Sequence, residues 1–88
     1  MNKARRTQIE AIGARIGALL EDAALIAGDV EAVRDEEQEY RDNMPESLAE
    51  GEKGERADAA IAALDQVIEA LESLLETEFD EQLTAAAA

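Results

Sequence analysis

From Ile9 to Met44 the apolar side chains step by three and four. The row runs Ile9, Ile12, Ile16, Leu19, Ala23, Ile26, Val30, Val33, Tyr40 and Met44, and Glu37 is its one break. Strict three-four alternation averages about 3.5 residues, the period at which one helical face stays turned toward a partner helix. The pattern predicts a single helix over about residues 3–43, roughly 60 Å long. Pro45 pushes Met44 out of the α region and ends it. PESLAEGEKG, residues 45–54, reads as the body of a connection over about 44–54. Within it Ser47-Leu48-Ala49-Glu50 has the spacing of a capping box and is expected to form one short turn of its own, and Gly51 and Gly54 supply permissive backbone. A second helix follows over about 55–83, with the row Ala57, Ile61, Leu64, Ile68, Leu71 and Leu75. Ala60, Val67 and Leu74 widen that row, Phe79 and Leu83 continue it, and residues 84–88 form a short alanine tail.

A short connection makes the two helices antiparallel neighbours. Folding about residue 49 sets Tyr40 beside Ala57 or Asp58, Val30 beside Ile68, and Leu19 beside Phe79. The expected fold class is all-α, a long antiparallel helical hairpin forming one domain over residues 1–88. A second stripe of small or apolar residues, Gly13, Gly17, Leu20, Ala24, Ala27 and Gly28, lies about 100° around the first helix. An interior glycine costs a helix about 1 kcal/mol relative to alanine, and close approach of another helix gives three of them a purpose. Self-association through Gly13, Gly17, Leu20, Ala24 and Gly28 is therefore expected, as a homodimeric four-helix bundle, with a groove for a foreign helix as the alternative.

Charge changes the picture in two ways. The chain has 22 acidic and 8 basic residues and a formal net charge of -14. Residues 1–15 carry Lys3, Arg5, Arg6 and Arg15 against Glu10 alone, so their local charge is +3. The other 73 residues hold 21 acids and 4 bases, for -17, and phosphate is repelled from such a surface, so direct nucleic-acid binding is not expected. Rows of carboxylates can instead imitate nucleic acid toward a basic protein. The candidate partner-binding residues on that basis are Asp29, Asp35, Glu36, Glu39, Asp42, Asp58, Asp65, Glu69 and Glu72. The alternative is a solvated face that keeps the protein soluble. Lys3, Arg5 and Arg6 are expected to pair with the acidic end of the second helix, around Asp80 and Glu81.

At the hairpin tip, Glu37 falls on the apolar row, where a carboxylate needs a partner. Arg56 and Arg41 are within reach, and Glu37, Tyr40, Asn43 and Arg56 form a candidate polar cluster. Two roles stand for it: a plug that sets register, and a recognition site. The segment RDEEQEYRDNMPESL, followed by Gly54-Glu55-Arg56 and an alanine-rich helix, resembles small uncharacterised proteins of phages and prophages. The matching pattern is carried by Glu36, Glu37, Gln38, Glu39, Tyr40, Asp42, Asn43, Met44, Pro45, Glu46 and Leu48. The resemblance implies a mobile-element origin and a helical hairpin, and it brings no activity with it.

The chain lacks cysteine and histidine, which removes thiolate chemistry, the commonest metal ligand and the usual general base. No cofactor and no catalytic residue are expected. One weak alternative exists. Glu36 and Glu39 on the first helix, with Glu55 and Asp58 on the second, are spaced similarly to the ExxE…ExxD pattern of MazG-type nucleotide pyrophosphohydrolases, whose carboxylates would hold Mg²⁺. Glu10, Arg15, Glu21 and Asp22 interrupt any apolar signal or spanning segment, so no membrane contact and a cytoplasmic location, the host cytoplasm for a phage protein, are expected. The leading functional expectation is an acidic phage-type interaction protein that inhibits a host nucleic-acid-binding defence system, of the anti-CRISPR or anti-restriction class. The alternative is a structural or assembly module.

Overall fold

The computed structural model describes residues 1–88 and contains helices and no strands. Helix α1 spans Lys3–Asp42, α2 spans Glu46–Ala49, α3 spans Glu52–Glu76 and α4 spans Phe79–Ala87. The molecule is a rod of 68 × 15 × 13 Å with a radius of gyration of 20.2 Å, where a compact chain of this length would have about 12 Å. Asn2 starts α1 by accepting a 2.9 Å hydrogen bond at its side-chain oxygen from the Arg5 amide, which satisfies one of the free donors of the first turn. Arg41 in its last turn and Glu52 and Glu55 in the first turn of α3 complement the two helix dipoles.

α1 and α3 lie antiparallel. Arg34 pairs with Asp65 and Arg41 with Asp58, each at 2.9 Å. Each of the two pairs therefore sums to 99, within one residue of the register expected from the turn. The face that α1 turns to α3 differs from the expected one. With Ile9 as heptad position a, the series Ile9, Ile16, Ala23 and Val30 faces inward as foreseen. The alternate members do not: Ile12, Leu19, Ile26, Val33 and Tyr40, position d, are 44%, 56%, 48%, 53% and 52% exposed. Position e takes their place, and Gly13, Leu20, Ala27, Arg34 and Arg41 are the more covered. Positions a and e sit about 40° apart, as i and i+4 on one helical face. α3 uses the foreseen row, with Gly54, Ala57, Ile61 and Ile68 buried and Leu64, Leu71 and Leu75 partly so.

The connection forms the short turn expected there, as the one-turn helix α2, but its cap position is Pro45 and Ser47 makes no capping bond. The turn closes through the Leu48 and Ala49 amides donating to the Pro45 carbonyl, both at 2.9 Å. The long second helix divides at Thr77 and Glu78. There the Thr77 hydroxyl donates to the Ser73 carbonyl at 3.0 Å and the backbone turns extended (ψ 127°). A continuous helix would hold Asp80 and Glu81 at its negative C-terminal end, whereas the break makes them first-turn residues of α4, where the dipole favours acids. The alanine tail is then helical to Ala87 and leans back on α1: the Arg6 Nε donates to the Ala87 carbonyl at 3.1 Å, and Leu83 lies 3.5 Å from where a Cβ on Gly13 would be.

The tightest point in the fold is Gly54, because a Cβ there would overlap the Ala49 carbonyl. Gly54→Ala is therefore expected to spread α2 from α3 and to destabilise the protein by about 1–3 kcal/mol, the usual range for overpacking, read by denaturant unfolding. Ile61→Ala, at a buried position 8% exposed, should cost about 2–4 kcal/mol and leave the turn geometry intact.

Candidate functional site: an uncovered apolar face

The heptad fixes what lies on each side of the α1–α3 contact. Arg34 and Arg41 on α1, and Asp58 and Asp65 on α3, share one flank, because each pair is seven residues apart and the helices run in opposite directions. On this flank the Arg34 Nε donates to Asp65 Oδ1, with Arg34 Nη1 3.5 Å from Asp35, and Arg41 donates through Nε and Nη2 to both oxygens of Asp58. Both guanidinium pKa values are raised, first by these hydrogen bonds, against a smaller opposing effect of desolvation. One side of the helix pair is thus closed by a ladder of paired charges.

The opposite flank is apolar. Viewed along the rod, α1 position d and the α3 row Ala60, Val67 and Leu74 rotate to the same side, away from the arginines. In the observed register Tyr40 lies within one residue of the level of Ala60, Val33 of Val67, and Ile26 of Leu74. Val67 is 46% exposed. Leu19 and Ile12 extend the face toward the start of α1. From Ile12 to Tyr40 the row is about 42 Å long at the helical rise, and no other part of the chain covers it.

At the turn end this face opens into a groove of about 410 Å³, lined by Glu36, Glu39, Tyr40, Met44 and Leu48, with Asn43 and Pro45 at its edge. This is where the structure leaves the expected tip cluster. Asn43 caps α1 with its backbone amide, donating to the Arg41 and Glu39 carbonyls. Arg56 lies outside on α3 and pairs with Glu52, and Arg41 is taken by Asp58, so neither reaches Glu37. No side-chain polar atom is buried without a partner, so the half-covered Glu37 carboxylate is solvated and does not form a plug.

The expected acidic sites divide. Asp58 and Asp65 are engaged by arginines, Asp35 touches Arg34, and Asp42 accepts from Gln38 at 2.9 Å. Asp29, Glu36, Glu39, Glu69 and Glu72 are exposed and unpaired. Glu36, Glu39, Glu55 and Asp58 do not converge, and no three acidic side chains form a metal-holding group. Asp58 belongs to the arginine flank, while Glu36 and Glu39 project from the far side of α1. The basic residues at the start of α1 also depart from expectation: Lys3, Arg5 and Arg6 take part in none of the four ion pairs, and neither does Arg15. Of the expected self-association residues, Gly13 and Leu20 lie on the inward face, Ala24 is exposed, and Gly17 and Gly28 border open space. No helix is long and apolar enough to cross a membrane.

The d row is part of the strongest apolar signal in the sequence, and the structure turns it away from α3 instead of toward it. The Arg–Asp ladder has a sequence signal of its own, the matched spacing of Arg34 and Arg41 on one helix and Asp58 and Asp65 on the other.

Exchanging charges tests the ladder. Arg34→Asp should lower Tm by a few degrees, and adding Asp65→Arg should restore most of the loss, whereas no recovery would show that the pair does not set the contact. A pH effect is expected at the α3–α4 elbow. The Glu81 carboxyl is pushed up from its ordinary value, first by its hydrogen bond with Glu78 and then by desolvation. The folded chain holds that proton more tightly, so the elbow's stability is present below the unfolded carboxyl pKa and is lost as pH rises through the folded one. Glu78→Gln should flatten the pH dependence of thermal unfolding between mildly acidic and neutral conditions.

Comparison with protein-family models, curated proteins and solved structures finds no match to this chain.

Proposed function

We propose that this protein is a helical assembly module that completes its core by pairing with a second copy, as a four-helix bundle. The observation that carries this reading is the uncovered d row, five large side chains at heptad spacing on one side of the rod. Surface area supports it. A compact protein of 9.5 kDa exposes about 5,000 Å², whereas this chain exposes 6536 Å². The excess is about 1,500 Å², close to the whole of a standard protein–protein interface counted over both partners. The inner core is also thin: six buried residues, of which only Ile61 and Ile68 are large. Few domains this small stand on so little without a partner.

This reading moves the self-association surface from the glycine stripe to Ile12, Leu19, Ile26, Val33 and Tyr40. Gly17 and Gly28 then carry only their intrinsic cost to the helix. Sedimentation equilibrium should give twice the 9.5 kDa chain mass. Leu19→Lys with Val33→Lys should give a monomer of reduced helicity. Gly17→Ala with Gly28→Ala should leave the dimer intact and stabilise it by about 1–2 kcal/mol. A chain that sediments at its monomer mass at every concentration would remove this reading.

A second reading rests on a separate observation, the unpaired carboxylates Asp29, Glu36, Glu39, Glu69 and Glu72. They suit a basic groove that ordinarily takes nucleic acid, as an inhibitor of a phage-type anti-CRISPR or anti-restriction class would. Binding to such a partner would weaken steeply with salt. Salt-independent binding, or binding unaffected by neutralising Glu36 and Glu39, would count against it.

A further inference from the structure

The apolar row alone permits two ways of stacking one hairpin on another. In one, the two turns lie at the same end of the bundle and each α1 covers the partner's α3. In the other, the turns lie at opposite ends and α1 runs antiparallel along the partner's α1. Both cover the d row. They differ in what they bring together at the ends, and the charge distribution of this chain distinguishes them.

We infer that the partner is a second copy in the opposed arrangement, with the basic start of each α1 seated over the acidic groove at the other's turn. This rests on the self-association proposed above and adds its orientation and register. Residues 1–15 carry a charge of +3, whereas residues 35–50 hold seven acids and one base, for -6. With both turns at one end, two groups of -6 would face each other. In the opposed arrangement each meets the partner's positive end.

The free side chains agree with that placement. Arg5 continues the d row by one heptad beyond Ile12, so it lies on the same face. It makes no ion pair within its own chain. The row from Ile12 to Tyr40 has its midpoint at Ile26, which sits level with Leu74 on α3. A two-fold axis there makes the contact isologous: Ile26 meets its own copy, Leu19 meets Val33, and Ile12 meets Tyr40. Arg5 then passes Tyr40 by one heptad and comes to the Met44 and Leu48 end of the partner's groove, beside the acidic turn. Arg15, on the outer flank, comes opposite Glu36. The cost is at the centre, where Asp22 faces Asp29 in each half. That repulsion limits affinity at low salt and is relieved by screening.

Cysteine cross-linking tests the orientation directly, because the natural chain has no cysteine. Gln8 and Asn43 are exposed positions on the outer flank that the two-fold brings together. Along one α1 they are about 50 Å apart at the helical rise, beyond any short linker. Gln8→Cys and Asn43→Cys are prepared as separate full-length chains, one bearing a mass tag, and treated with a short bismaleimide at a concentration where sedimentation shows a dimer. The expected result is a mixed Gln8→Cys/Asn43→Cys dimer as the main product, with little product from either chain alone. Self-linking of each chain would show the turns together, and would overturn the inference while leaving the dimer. A dimer that yields no product in any combination would overturn the register. A monomer by sedimentation would instead overturn the underlying self-association. In a parallel measurement Arg15→Glu should weaken dimerisation severalfold, and adding Glu36→Arg should restore it. Failure of that rescue would count against this register.

Discussion

The structure depends on which face α1 turns toward α3. Its sequence offers two adjoining choices, a row of a and d positions rich in Ile, Leu and Val, and a row of a and e positions containing Gly13, Ala27, Arg34 and Arg41. The hairpin uses the second. Ala23, Ala27 and Ala57 are almost fully covered, so the helices meet through small side chains and approach closely. Arg34 and Arg41 then lie beside Asp65 and Asp58 and close that edge with charge-assisted bonds. Direction matters here more than strength. Pairs near the surface add little stability, but two at heptad spacing set the rotation of α1 about its axis. Once that rotation is set, the larger apolar side chains face away from α3.

Much of this was legible in the sequence. The helical class, the stop before Pro45, the antiparallel order and the register to within one residue follow from periodicity and turn chemistry. The face of α1 did not. A pattern of period 3.5 shows that a helix has an apolar side but not which neighbour covers it, and the richest row was assigned to the nearest helix. The elbow at Thr77 was likewise hidden, because the apolar spacing continues through Phe79 and Leu83. Asp80 and Glu81 would oppose the dipole of an unbroken helix, and the break relieves that by making them first-turn residues of α4. Isolated residues at the tip were the least legible. Linear folding about the turn puts Arg56 near Glu37, whereas its position on the outer side of α3 takes it to Glu52.

The candidate site follows from the same fact. With α1 rotated toward its small residues, one side of the rod is charged and internally satisfied, and the other is apolar and open. A surface of this length exposed to water is costly at roughly 25 cal/mol per Å², and the thin core offers little to offset it. In the proposed bundle a second copy would cover the row and remove that cost. The uneven charge would then order the copies end to end, because the basic start of one chain is attracted to the acidic turn of the other.

In the proposed bundle folding and self-association are one process, with the d row as part of the true core. Thermal unfolding as a function of protein concentration tests this most directly. If the row is covered by a second copy, Tm rises steadily as concentration increases, because mass action stabilises the associated state. A Tm independent of concentration, with a cooperative transition and the d row still open, would contradict the account.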